Sequence, residues 1–205
     1  MINKLGCALF VATVTLAGCG SSQPPETPTG VTVAADAPFT VSWSAATRAS
    51  SYVVYRGTVA GDMSQKTLMT SSLTTTSYTD YSVESGSNYY YQITSLNSDG
   101  QSVPSSEVTI PLSAYNLSVA QSAGKTSLTW TPVSLTSGSV KYHVYRGTAT
   151  GLLATKTELT SSAVSTTSYD DLTGTAGTRY YYQVKAVDAN ESQLLVYKEL
   201  SVTAQ

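Results

Sequence analysis

The chain has 205 residues, 12% of them charged, and its 11 Lys and Arg against 13 Asp and Glu leave a formal charge of −2. That length holds one large domain or two small ones, and the near-neutral balance lacks the basic field that draws nucleic acid or an anionic membrane surface. With 15 Tyr but 2 Phe, and with abundant Thr and Val, the composition favours strands on half-buried pleated surfaces and predicts an all-β protein.

The first residues read as an address. Lys4 precedes an apolar run from Leu5 to Leu16, too short for a permanent membrane span and laid out as a secretory signal over residues 1–18. Leu16-Ala17-Gly18-Cys19 resembles the bacterial lipobox. The resemblance implies a lipidated Cys19 as the first mature residue, attached to a membrane by two or more acyl chains. Gly20 rather than Asp follows it, which in that class implies an outer-membrane anchor, facing either the periplasm or the cell surface. Cys7 falls in the removed segment. No cysteine follows Cys19, so neither a disulfide framework nor a cysteine metal site is expected. Residues 19–30, with Pro24, Pro25 and Pro28, predict an extended tether.

Two units follow, over 24–112 and 113–205. YVVYRGT at Tyr52 to Thr58 returns as YHVYRGT at Tyr142 to Thr148, and TSYTD at Thr76 to Asp80 returns as TSYDD at Thr167 to Asp171. YYYQI from Tyr89 matches YYYQV from Tyr180, Gly61 matches Gly151, and Lys66 matches Lys156. Within each unit the apolar period is two. Phe39, Val41 and Trp43 share one face, as do Leu128 and Trp130. Tyr52 and Val54 point one way and Val53 and Tyr55 the other, with Tyr142, Val144, His143 and Tyr145 as their counterparts. Tyr89, Tyr91 and Ile93 alternate with Tyr90 and Gln92. Turn signals separate the runs, at Arg56-Gly57-Thr58, Ser85-Gly86-Ser87 and Ser98-Asp99-Gly100 in the first unit and at Gly174 and Gly177 in the second. About seven short strands per unit predict two tandem immunoglobulin-like sandwiches. The short junction TIPLSAYN predicts a semi-rigid pair.

Trp43 and Trp130, Tyr52-x-Val54 and Tyr142-x-Val144, and the strand openers Tyr89 and Tyr180 are residues in which both units resemble fibronectin type III domains. The resemblance implies seven-stranded sandwiches with Trp43, Tyr89, Trp130 and Tyr180 in the cores. It also implies a tyrosine corner at Tyr89 and Tyr180, where the ring packs on the core and the hydroxyl meets upstream backbone. Val83 and Ser85 stand where the family carries Leu and Pro, and the second unit spaces its corner differently around Leu172.

Chemistry-bearing residues are sparse. His143 is the only histidine and is expected to face solvent mid-strand, without a nucleophile elbow. Asp80 and Asp170-Asp171 sit where oxygen ligands for calcium could gather, but they equally suit turns in which Asp bonds its own backbone. Arg56-Gly57-Thr58 is not an integrin tripeptide, and its glycine is expected to permit a turn. No catalytic residue, metal or cofactor is predicted. Tyr55 with Tyr90, and Tyr145 with Tyr181, are expected to form a paired-tyrosine patch on the outer face of each domain. Such a patch either binds a partner or only stabilises the sheet. The sequence therefore predicts a non-enzymatic, lipid-anchored envelope protein that presents its domains to protein or polysaccharide. Two alternatives stand beside it: a subunit of an outer-membrane or extracellular assembly, or a carbohydrate-binding accessory of a degradative system.

Overall fold

The computed structural model describes residues 22–205. The signal segment, Cys7 and the lipobox with Cys19 lie outside the described residues. No helix among the described residues is long and apolar enough to cross a membrane.

The first sandwich is built from β1 (Thr29–Val33), β2 (Thr40–Ser44), β3 (Ser51–Gly57), β4 (Thr67–Leu73), β5 (Ser77–Thr79), β6 (Asn88–Asn97), β7 (Gly100–Gln101) and β8 (Val108–Pro111). One sheet runs β1-β2-β5; the other runs β4-β3-β6, with β7 and β8 both paired to the far side of β6. β7 and β8 are thus two halves of one edge strand. Pro104, between them, has no N–H to give a ladder, so the edge breaks there.

The second sandwich repeats the plan with β9 (Leu117–Ser122), β10 (Lys125–Trp130), β11 (Lys141–Gly147), β12 (Thr157–Glu158), β13 (Ser168–Asp171), β14 (Arg179–Val187), β15 (Gln193–Val196) and β16 (Leu200–Thr203). Its sheets run β9-β10-β13 and β12-β11-β14, with β15 and β16 sharing the outer side of β14. Each domain therefore sets three strands against four, and all strand pairings are antiparallel.

Alternation explains the cores. Phe39, Val41 and Trp43 of β2 face Tyr52 and Val54 of β3 and Tyr91 and Ile93 of β6, all buried. Trp43 meets Tyr52 edge-on at 5.4 Å between ring centres, and Trp130 meets Tyr142 at 5.3 Å. Such contacts add about 0.5–1.5 kcal/mol to the burial itself. Each of these tyrosines also accepts a backbone hydrogen bond, Tyr52 from the Ala46 N–H at 2.9 Å and Tyr142 from the Val133 N–H at 3.0 Å. Both tyrosine corners form: the Tyr89 hydroxyl accepts from the Glu84 N–H at 3.1 Å and the Tyr180 hydroxyl from the Thr175 N–H at 3.2 Å. The altered spacing near Leu172 leaves the second corner intact.

Two expectations fail here. Val53, placed outward by alternation, is buried. It stands opposite Thr94, and the Gln101 side chain reaches across to both the Thr94 and Tyr55 hydroxyls, covering it. The proline segment is also not a free tether over its second half. The Gln23 N–H donates to Asp99, Asn97 donates to the Gln23 carbonyl, the Glu26 N–H donates to the Thr47 carbonyl, and Pro25 and Pro28 are buried.

The two domains touch through backbone. The Ser85 N–H donates to the Val196 carbonyl at 2.9 Å, the Val196 N–H donates to the Val83 carbonyl at 3.4 Å, and the Lys198 N–H donates to the Ser85 hydroxyl at 3.0 Å. The segment after β5 thereby adds itself, parallel, to the broken edge between β15 and β16. A second contact joins the Ala37 N–H to the Ser134 carbonyl at 3.0 Å. Edge strands carry unpaired backbone groups; here the first domain covers part of the second domain's edge.

Candidate functional site

The duplicated heptapeptide is answered by a duplicated polar network. Arg56 ends β3 and reaches Asp80 at 2.6 Å; Arg146 ends β11 and reaches Asp171 at 2.7 Å. The Tyr91 hydroxyl donates to Asp80 at 2.8 Å, and the Tyr182 hydroxyl to Asp171 at 2.7 Å. The other carboxylate oxygen accepts from the Ser82 N–H and hydroxyl in the first domain and from the Thr173 N–H and hydroxyl in the second. Burial alone would push both carboxyls up, yet the Ser82 or Thr173 donors, the tyrosine and the arginine together hold Asp80 and Asp171 below the usual carboxylate range. Burial, with the neighbouring carboxylate, pushes Tyr91 up, and Tyr182 up to about 12. Each arginine also lies over a corner tyrosine, 4.9 Å from the Tyr89 ring centre and 4.4 Å from that of Tyr180. These aspartates do make the expected turns, but their remaining oxygen serves arginine rather than a metal. Among the described residues no three His, Cys, Asp or Glu side chains are grouped to hold a metal.

Gly57 and Gly147 do not serve a turn. Both close their strands, and neither has the positive φ that requires glycine. A Cβ on Gly57 would stand 3.0 Å from Lys66 Cγ and 3.1 Å from the Gln65 carbonyl, and one on Gly147 would stand 3.1 Å from Lys156 Cγ. The glycine makes room for a lysine stem. Each lysine side chain is wholly buried and pairs with a carboxylate, Lys66 with Glu107 at 2.7 Å and Lys156 with Glu199 at 2.5 Å. The same carboxylates accept from the Gly61 and Gly151 N–H groups. Sequence reasoning missed this second network. Its signal is the recurrence of Gly, Lys and Glu at matching places in both units.

His143 is not solvent-facing. Its side chain is 12% exposed and sits between Glu158 at Nδ1, 2.5 Å, and Glu191 at Nε2, 2.6 Å. Neither carboxylate has a counterpart near Val53.

The predicted tyrosine patch is real in placement but not as a pair. Tyr55 stands opposite Gln92 and Tyr90 opposite Gly57; Tyr145 stands opposite Gln183 and Tyr181 opposite Gly147. The four tyrosines are half-buried, on the outer face of the larger sheet, and diagonal across a glutamine rather than face to face. Among the described residues no ring contact joins Tyr55 to Tyr90 or Tyr145 to Tyr181. Tyr55 accepts from Gln101 at 3.0 Å. Lys185 lies 5.8 Å from the Tyr145 ring centre and Arg179 5.7 Å from that of Tyr181. Burial, then the nearby Glu158, pushes Tyr145 up to about 12. Each face is thus a strip of amphipathic rings divided by an amide, with basic groups beside it in the second domain.

These features define an all-β chain of two tandem immunoglobulin-like sandwiches with the strand order of fibronectin type III domains. No family model matches the sequence. Among curated proteins, 69 residues of the chain are 41% identical to a stretch of an amylopullulanase from Thermoanaerobacter thermohydrosulfuricus, covering 33% of this chain and 4% of that protein. A further match, 38% identical over 96 residues, is to a poly(3-hydroxybutyrate) depolymerase from Ralstonia pickettii, covering 45% of this chain and 18% of that protein. The chain thus spans less than a fifth of either curated relative. Among solved structures, an Fn3-like protein from Clostridium thermocellum is 31% identical with a TM-score of 0.39, over 42% of this chain and 92% of that one.

Proposed function

We propose that this chain is a non-enzymatic, lipid-anchored envelope protein whose tandem sandwiches contact polysaccharide through their outer tyrosine faces. One observation carries the proposal: Tyr55 and Tyr90 recur as Tyr145 and Tyr181 on the same face of both domains, half-exposed and outside either core. Rings that serve only the fold are accounted for by Trp43, Tyr89, Trp130 and Tyr180, so the outer set is free for contact. Tyrosine offers a flat apolar face and a hydroxyl at little entropic cost, which suits the C–H and O–H surfaces of a sugar. Similarity to stretches of an amylopullulanase and a depolymerase, both named for polymers, supports an accessory role beside polymer degradation.

The test is co-sedimentation of the full chain with insoluble polysaccharides. Replacing Tyr55, Tyr90, Tyr145 and Tyr181 by Ser abolishes binding on this reading while the unfolding transition stays cooperative. Unchanged sedimentation of the fourfold variant overturns it.

A second reading, as a subunit of an envelope assembly, rests on β4. This seven-residue edge strand, TLMTSSL, carries no charge, and uncharged edges are templates for strand addition. An assembly component runs well above monomer size after gentle solubilisation; a monomer contradicts this second reading.

A further inference from the structure

Where the first domain meets the second, a cleft of about 230 Å³ opens between the segment after β5 and the outer face of β14. Its lining includes Glu84, Leu152, Leu153, Gln183 and Gln193. Gln183 is 3% exposed, yet its side-chain oxygen has no hydrogen-bond partner. The amide nitrogen faces Glu84 at 3.4 Å. A carboxylate only accepts, so this contact fixes which end of the amide is the unpartnered one. A buried acceptor left unpaired costs about 1–3 kcal/mol, and here it belongs to a residue lining an open cleft.

The rest of the lining restricts what can satisfy it. Gln193 spends its amide N–H on the Tyr81 carbonyl at 2.6 Å, leaving its oxygen as a further acceptor. Glu84 adds a carboxylate, so the polar side chains mostly accept, and the one formal charge among the five residues named is negative. An occupant must donate hydrogen bonds without bringing negative charge. Leu152 stands at the rim, 77% exposed, and with Leu153 offers an apolar wall. Donor groups on one face and C–H groups on the other describe a neutral, hydroxyl-rich ring. The volume lies below the roughly 300–1,000 Å³ of drug-sized sites, which suits one ring rather than a long stretch of chain.

We propose that this interdomain cleft binds a single neutral sugar unit of a polysaccharide, with Gln183 and Glu84 accepting from its hydroxyls and Leu152 against its C–H face. The inference rests on the polysaccharide reading above and adds a site that neither domain holds alone. Glu84 arrives from one sandwich and Gln183 from the other, so the backbone pairing of Val83 and Ser85 with Val196 aligns the pocket. Gln92 is the internal control. It occupies the position of Gln183 in the first domain and also has an unpartnered side-chain oxygen, but it does not line this cleft.

The experiment titrates the full chain with maltohexaose, cellohexaose, xylohexaose, tetragalacturonate and calcium, reading heat of binding and the Gln183 side-chain amide resonance. At least one neutral oligosaccharide binds and moves that resonance. Gln183→Leu and Leu152→Asp each weaken it about tenfold or more, and Gln92→Leu leaves it within about twofold. Leu152 is a rim residue, so its variant stays folded even where Gln183→Leu does not. Binding that survives Leu152→Asp but is lost with the outer tyrosines removes the cleft and leaves the proposed function standing. Binding by no neutral oligosaccharide, or by calcium or tetragalacturonate alone, overturns the inference.

Discussion

Arg56 and Asp80, 24 residues apart in sequence, meet at 2.6 Å with the Asp80 side chain wholly buried. Arg146 and Asp171 repeat the contact in the second domain. The arginine of the doubled YRG therefore holds the strand before each tyrosine corner, and the repetition belongs to architecture.

Removing the acid strands a charge. Asp80→Ala leaves Arg56 without its carboxylate and Tyr91 without its acceptor, and lowers stability by about 3 kcal/mol, since breaking a buried pair from one side costs about 3–5 and Arg56 is partly solvated. Urea unfolding measures this, and a loss below 1 kcal/mol contradicts the network's role.

The same pairs set a pH dependence. Asp80 and Asp171 have folded-state pKa values below the unfolded value of about 3.9. Their contribution is present above that unfolded value and is lost as pH falls through the lower folded one. Urea midpoints measured from pH 6 down to pH 2 fall most steeply below about pH 4, and Asp80→Asn flattens the fall.

Gly57→Ala tests whether the glycine clears Lys66. A Cβ there meets backbone at the Gln65 carbonyl as well as the lysine stem, so relief needs a shift of the chain and costs about 1–3 kcal/mol. Gly61→Ala differs in kind. Nothing lies within 4 Å of its Cβ, but φ is +86°, so its cost is conformational and about 1 kcal/mol. If Gly57→Ala is neutral by thermal unfolding, the close-approach account is wrong.

Ser85→Pro removes the N–H that donates to Val196 and the hydroxyl that accepts from Lys198. Small-angle scattering gives one well-defined interdomain arrangement for the wild type and a broadened distribution of sizes for the variant. Identical scattering profiles contradict the backbone-pairing account of the interface.

The lipid anchor is checked separately from the fold. Cys19→Ala moves the protein from the membrane to the soluble fraction and abolishes labelling by radioactive palmitate. Membrane retention of that variant contradicts the proposed anchor.

Much of this fold was legible because alternation fixes faces. Phe39, Val41 and Trp43, or Tyr89, Tyr91 and Ile93, point to a core in sequence and lie in one in space. What stayed hidden depends on contacts that no local period encodes. Glu107 reaches Lys66 from 41 residues away, and Glu84 and Gln183 come from different domains. One cue was readable. Leu194, Leu195, Val196 and Tyr197 break the period-two pattern with a continuous apolar run, as strands covered on both faces do. All four are buried, and it is at Val196 that the first domain pairs. The matching stretch Val103-Pro104-Ser105 is polar and interrupted, and Val103 is 70% exposed. For the candidate site, the outer tyrosines were placed on the right face, but their diagonal spacing and the glutamine between them needed the strand register.

The most direct measurement is binding of the purified full chain to an array of immobilised polysaccharides, with the variant lacking Tyr55, Tyr90, Tyr145 and Tyr181 as control. The account predicts signal on at least one neutral polysaccharide and none for the variant. An array blank for the wild type, or equally bright for both proteins, contradicts it.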